Sequence, residues 1–351
     1  MVSRRVQDAI TRAAGRDADA ETAARARQDV LTKPQGALGR LEEISIALAG
    51  MTGHVCYVPR KKTVFALAGD HGVVAEGVSL FPQAVTVQMV ANFARGGAGL
   101  NVLARHCGVD VVVADLGVAG DLSGCAGIEH CKIAPGTANI ALGPAMSEDQ
   151  MWQAVEAGMA LVESRPGLEL IATGEMGIGN TTPATAIACA LLRREPEDIA
   201  GPGTGLPPER VREKAAVVRR ALDVNRPDAA NPWDVLRKVG GFEIAGLVGV
   251  VLASAVRRIP CVVDGFISAS AALIAARACP NAQGYLIAGH RSADRGHDAM
   301  LDALGLRPIL DLDLRLGEGT GAVLAMSIVE AAGKILAEMA TFAEAGVSEA
   351  D

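Results

Sequence analysis

Two short segments of this chain each put a carboxylate, several glycines and a threonine side by side. They are GEMGIGNTT (174–182) and GEGTGAV (317–323). An apolar run precedes each and an apolar helical pattern follows, so Glu175 and Glu318 are expected at strand ends, just before helix starts. Free backbone N–H groups at a helix start, with the helix dipole behind them, form a natural cradle for phosphate. Thr181 and Thr182 could add hydroxyl donors. The plainer alternative for either loop is a compact strand-to-helix connection. No Gly-Lys-Ser/Thr follows, which excludes a Walker-type nucleotide loop, and neither is a clean G-x-G-x-x-G.

Other chemistry is excluded or left open by type and spacing. There is no H-E-x-x-H, no C-x-x-C pair and no acidic triplet of metal-binding spacing, so no metal is expected. His71 beside Asp70 could bind metal or serve in acid–base chemistry, but such a pair is more often a hydrogen-bonded strand terminus. His290 and His297 stand too isolated to assign. No Ser/His/Asp set or Cys nucleophile stands out. What remains is a phosphate-binding site with one or two carboxylates, suited to a transfer whose leaving group needs no metal.

The elements that must position these residues are legible as apolar runs alternating with helical patterns. Strands are expected at 63–70, 109–117, 168–175, 260–265, 284–289 and 308–318. Alternation of this kind implies a parallel sheet flanked by helices, Rossmann-like, whose ligands lie beyond the carboxyl ends of the strands. Residues 3–52 read as helices punctuated by KPQGALGR (33–40), and one long helix is expected from Gly321 to about Ala343. The two helical ends, 1–58 and 322–351, are expected to pair as a small lobe beside a large α/β domain, 59–321.

Composition sets the outer bounds. The 351 residues are 50% hydrophobic and 21% charged, which is a folded globular chain. A net charge of −7 and 3% aromatic residues argue against nucleic acid, which calls for a basic stripe with stacking rings. The apolar stretch Ile244–Val256 is too short for a membrane span and is broken by two Gly. The polar start lacks a signal peptide's apolar run, and seven Cys without a C-x-x-C pair fit reduced thiols. A cytoplasmic protein is expected, with small-molecule partners and neither nucleic acid nor membrane.

KPQGALGRLEEI, AGDHGVVAEGVSLFPQAVT, GEMGIGNTTPATAI, VGGFEIAGLVG, AGHRSADRGH and LGEGTGAVLA occur in this order. Together they resemble the nicotinate-nucleotide:dimethylbenzimidazole phosphoribosyltransferase family, from about Lys33 to the final helix. The resemblance implies that a benzimidazole nitrogen attacks the anomeric carbon of nicotinate mononucleotide, nicotinate leaves, and α-ribazole phosphate forms for the lower ligand of cobalamin. No cofactor is implied, and the family's habit implies a homodimer.

The resemblance also implies roles. Glu318 becomes the general base, its helix-start position expected to favour the ionised form. Glu175 becomes a ribose or transition-state partner. The amides of Gly177, Ile178 and Gly179, with Asn180 and Thr181, become the phosphate cradle. Lys214 adds charge there, the alternative being a solvated helix face. Asp264 and Ser292 fall to the nicotinate side. The stretch VSLFPQAVTVQM (78–89) matches the base-binding segment, giving Ser79, Phe81 and Met89, with core packing the alternative for Met89. Two rivals differ in class: a transferase using phosphoribosyl pyrophosphate, which needs paired acids where PCVVDGF has one, and a non-catalytic sensor on the same fold.

Overall fold

The structure, a computed structural model, describes residues 2–348. Its centre is a six-stranded parallel sheet in the order β3-β2-β1-β4-β5-β6. The strands are β1 (Lys62–Gly69), β2 (Asp110–Gly117), β3 (Glu129–His130), β4 (Leu170–Met176), β5 (Cys261–Val263) and β6 (Leu286–Ala288). All eight residues of β1 are buried, as expected of a central strand covered on both faces. β1 pairs with β2 on one side and β4 on the other, so the strand order reverses beside β1. That switch point puts the carboxyl ends of β1 and β4 next to each other, with Leu67 opposite Glu175.

Five of the six expected strands lie in this sheet. The sixth does not. Of residues 308–318 only Leu310–Asp311 is a strand, β8, and it pairs with β7 (His290–Arg291) in a separate two-stranded ladder. The alternating Leu residues that suggest a strand have no core to enter: Leu312 and Leu316 are 55% and 59% exposed. The chain instead runs as a loop toward Glu318. The sheet's sixth member is the edge strand β3, whose two residues are both exposed and carry no apolar signal.

Helices cover both faces. The helix Phe242–Val256 is buried almost throughout and crosses the helix Glu148–Glu163 in backbone contact. A Cβ at Gly158 would stand 1.8 Å from the carbonyl oxygen of Gly246, so only glycine permits that approach. The N-terminal helices are Arg4–Arg12, Ala18–Val30 and Arg40–Thr52. Between the last two, KPQGALGR turns around a buried ion pair, Lys33 Nζ to Glu42 Oε1 at 2.8 Å.

The expected final helix spans Thr320–Glu338, and a short capped turn, Phe342–Ala345, follows. By length and composition this helix could cross a bilayer, yet over half of it is buried within the protein. Ala322 to Val329 join the main core, while Leu336 joins a smaller cluster with Ala20, Ala24, Leu31, Ile46 and Ala49. One helix therefore connects the sheet to the N-terminal helices. Met1 and residues 349–351 of the expected lobe lie outside the described residues.

Candidate active site

Glu175 and Glu318 meet at the switch point. The end of β4 lies against the 317–319 loop so closely that a Cβ at Gly174 would stand 2.4 Å from the Glu318 carbonyl oxygen. Gly317, Glu318 and Gly319 all have positive φ, and for Glu318 (φ 65°) this is a backbone conformation that costs about 1–3 kcal/mol. Asp264, at the end of β5, offsets that cost. Its Oδ2 accepts the Gly319 amide at 3.1 Å and its Oδ1 the Ala322 amide at 2.9 Å, capping the helix that follows. The Asp264 carboxylate is thus committed to the loop, behind the cavity rather than in its lining.

Both glutamates are buried, at 5% and 6% exposure. Burial pushes the Glu175 carboxyl up to about 8, helped by the nearby carboxylates of Glu243 and Asp264 and opposed by the Asn180 side-chain amide, which donates to Oε2. Burial also raises Glu318, against a hydrogen bond from the backbone of Leu100. The expectation that a helix start would favour ionised Glu318 is therefore corrected: desolvation outweighs the hydrogen bond that the Leu100 backbone gives the carboxylate. Glu318 Oε2 has no hydrogen-bond partner and lines the cavity.

That cavity holds about 460 Å³. Behind one end, outside the lining, the Lys214 ammonium, 1% exposed, donates to the lining residue Thr181, at Oγ1, at 2.7 Å and to the Gly201 carbonyl at 3.2 Å. Burial lowers it to about 8, with Asp294 opposing. Gly203, Thr204, Ser292, Asp294 and Arg315 complete this end, and Arg315 Nη1 donates to the Gly203 carbonyl at 3.3 Å. Lys214 is no solvated helix face.

The glycine loop is less open than its sequence suggests. Gly177, Ile178, Asn180 and Thr181 line the cavity. The Ile178 amide, however, donates to Thr86 Oγ1 at 3.0 Å, and the Asn180 side chain serves Glu175. Gly179 (φ 88°) makes the turn, where a Cβ would meet Val74 Cγ2 at 2.7 Å. Thr182 faces inward, fully buried, with an unpartnered hydroxyl.

Another part of the lining is apolar. Phe81, Val85 and Met89 line it, the last two one turn apart on the helix Ala84–Ala94. Met89 lines the cavity and also packs against the core. Ser79 stands outside the lining; its hydroxyl is 3.4 Å from Thr204 Oγ1 and accepts the Phe81 amide at 3.2 Å.

A second layer holds the first. Thr86 Oγ1 donates to Asp70 Oδ1 at 2.7 Å while accepting from Ile178, and Asp70 Oδ2 accepts the Ala119 amide at 2.8 Å. Next to it His71 Nε2 lies 2.9 Å from Glu243 Oε1, both buried. Among the described residues no group of three or more His, Cys, Asp or Glu is placed to hold a metal ion.

The chain as a whole has known counterparts. The DBI_PRT family, described as phosphoribosyltransferase, matches residues 13–347. The chain belongs to this phosphoribosyltransferase family. It is 55% identical over 336 residues to the nicotinate-nucleotide–dimethylbenzimidazole phosphoribosyltransferase of Desulforudis audaxviator, covering 95% of each chain. Against the enzyme of that name from Chloroflexus aurantiacus it is 54% identical, covering 98% of this chain and 99% of the relative. A crystal structure of the Thermus thermophilus enzyme of that name superposes with a TM-score of 0.90 at 46% identity, over 95% of this chain and all of that one.

Several residues of this candidate site escape sequence reasoning. Arg315 stands three residues before Glu318 but inside a run whose alternation reads as a strand. Asp294 follows Ser292 in AGHRSAD and could have been found there. Glu243 carries a clear signal, a lone acid opening an apolar helix, that went unused. Thr86 gives none, because its role depends on Asp70 and Ile178, which only folding brings to it.

Proposed function

We infer that this chain transfers the phosphoribosyl group of nicotinate mononucleotide to 5,6-dimethylbenzimidazole, giving α-ribazole phosphate and nicotinate for the nucleotide loop of cobalamin. One observation carries the reading. A single cavity is lined by Thr181, Ser292 and Arg315, by the apolar side chains of Phe81, Val85 and Met89, and by the buried carboxylates of Glu175 and Glu318, with the Lys214 ammonium bonded to Thr181 behind it.

Lys214, Thr181 and Arg315 hold the phosphate, with Ser292 beside them. The ribose then spans the gap to Glu175 and Glu318, and the flat base lies on Phe81, Val85 and Met89. The acceptor's unprotonated ring nitrogen forms a bond to C1′ as the bond from C1′ to the pyridinium nitrogen breaks and its electron pair returns to the ring. Nicotinate leaves with a neutral nitrogen and needs no acid. Positive charge gathers on the ribose, and the carboxylates stabilise it. The proton on the acceptor's other nitrogen passes to Glu318, whose raised affinity and unpartnered Oε2 suit a base.

The pyrophosphate-dependent reading loses support, since Asp264 already accepts two backbone amides. A sensor has no use for an unpartnered buried carboxylate facing its ligand. We further propose a cytoplasmic homodimer whose helical lobe comprises residues 1–58 and 322–351. Leu80, Phe81, Leu312 and Leu316 are all more than half exposed, and Phe81 and Leu316 line the cavity; this apolar exposure supports a second copy packed there. Light scattering on the purified protein checks this.

The function is tested by mixing metal-free protein with nicotinate mononucleotide and dimethylbenzimidazole and following both products by chromatography. Stoichiometric nicotinate and α-ribazole phosphate are expected. Nicotinate release without α-ribazole phosphate would point to a different acceptor, and no release would overturn the reading.

A further inference from the structure

One polar side chain in the cavity has no assigned work. His290 is 1% exposed, yet neither ring nitrogen has a hydrogen-bond partner. A buried imidazole left this way forfeits hydrogen bonds it could make in water, so it is costly unless a ligand supplies them. The fold nevertheless makes room for it. A Cβ at Gly321 would come within 2.0 Å of His290 Cδ2, and one at Gly265 within 3.2 Å of Nε2, so two backbone segments give up side chains around this ring.

Its neighbours narrow the partner. Asp264 Oδ1 is 3.6 Å from His290 Nε2, too long for a hydrogen bond, and is already bonded to the Ala322 amide. His297, its ring centroid 6.1 Å away, accepts the Ser292 amide at Nδ1, and burial lowers it to about 3, so it stays neutral; its Nε2 is unpartnered too, but the residue lies outside the cavity lining. Asp294 is turned toward Lys214 and Ser292. His290 is thus the free donor on this wall, and it shields a ligand anion from the Asp264 carboxylate.

The sheet order says which part of the ligand reaches it. The base wall follows β1, Glu175 ends β4, Gly265 follows β5 and His290 follows β6. Displacement at C1′ puts the leaving group on the side away from the attacking base. Building on the function proposed above, we propose that His290 is a specificity-determining residue that donates to the carboxylate of the departing nicotinate. It thereby selects an acidic pyridine over its amide. An imidazole presents an N–H in either protonation state, and a hydrogen bond to a carboxylate is roughly twice as strong as one to a neutral carbonyl.

The test measures binding of free nicotinate, nicotinamide and ribose 5-phosphate by calorimetry, and KM for the mononucleotides of nicotinate and nicotinamide. The proteins are wild type, H290F, which keeps a ring in the slot, H290A, and H290Q, which keeps an N–H donor. H290F and H290A are expected to lose roughly tenfold or more in nicotinate affinity, with nicotinamide and ribose 5-phosphate changed less than about threefold, and H290Q to recover most of the loss. An unchanged preference for nicotinate over nicotinamide in both H290F and H290A overturns the proposal, as does a loss falling mainly on ribose 5-phosphate. Dimethylbenzimidazole affinity, read at the far wall, shows that each variant is intact. If wild type turns over neither mononucleotide, the proposed function itself falls and takes this inference with it.

Discussion

The backbone amide of Glu318 points at the carboxylate of Glu175, 3.4 Å from its Oε1. The two glutamates are therefore one unit, the main chain of one holding the side chain of the other, and their variants should separate by step. Glu318→Gln is expected to cut kcat by about 10²–10⁴-fold with mononucleotide affinity largely kept. Glu175→Gln should lower kcat by roughly 10²-fold above about pH 8, where the native carboxyl is charged, through lost charge opposite the ribose. Single-turnover kinetics with both substrates checks this, and a fully active Glu318→Gln enzyme removes that residue as the base.

Lys214 makes a second, different demand. Its ammonium, lowered to about 8, is fully charged only below that pH, so affinity for the mononucleotide should decline as pH rises through about 8. Lys214→Ala should weaken that affinity by roughly 10–100-fold and flatten its pH dependence, leaving base affinity unchanged. An unaltered profile in the Ala variant would place the phosphate elsewhere.

Glu175 should also write itself into stability. Its folded value, about 8, lies above the ordinary 4.5, so the folded state binds the extra proton between those limits. The associated stability is complete below about pH 4.5 and is lost as pH rises through 8, by an amount on the order of a few kcal/mol. Denaturant titrations of the ligand-free protein should show Glu175→Gln gaining on wild type from pH 5 to pH 8. A constant difference across that range would mean Glu175 ionises normally.

Thr86 links the base wall to the glycine loop. Thr86→Val strands Asp70 Oδ1 and the Ile178 amide and should cost about 1–3 kcal/mol, with kcat falling alongside. Thr86→Ser keeps both bonds and should restore both quantities. Activity retained in the valine variant would reduce Thr86 to packing.

Much of this site is legible in the sequence because its chemistry is local. Glu175 and Glu318 are visible from Gly-Glu punctuation after apolar runs, and five of the six strands from apolarity alone. What fails is whatever depends on distance in the chain. Asp264 reads as facing the ligand, yet its lone pairs go to amides more than fifty residues away. The Ile178 amide looks free until Thr86 arrives from 92 residues off. Protonation fails for the same reason: the helix start at Glu318 is written in the local sequence, while the burial that raises its carboxyl is not. The run at 308–318 misleads because alternation alone cannot say whether a core exists to receive it.

The apolar wall made by Phe81, Val85 and Met89 stands on a single segment, 81–89, that touches the glycine loop through the Thr86 hydroxyl rather than through these three side chains. Acceptor choice and donor choice can therefore evolve separately. A descendant of this chain could exchange one aromatic base for another through two or three substitutions in that segment while its mononucleotide donor stays the same.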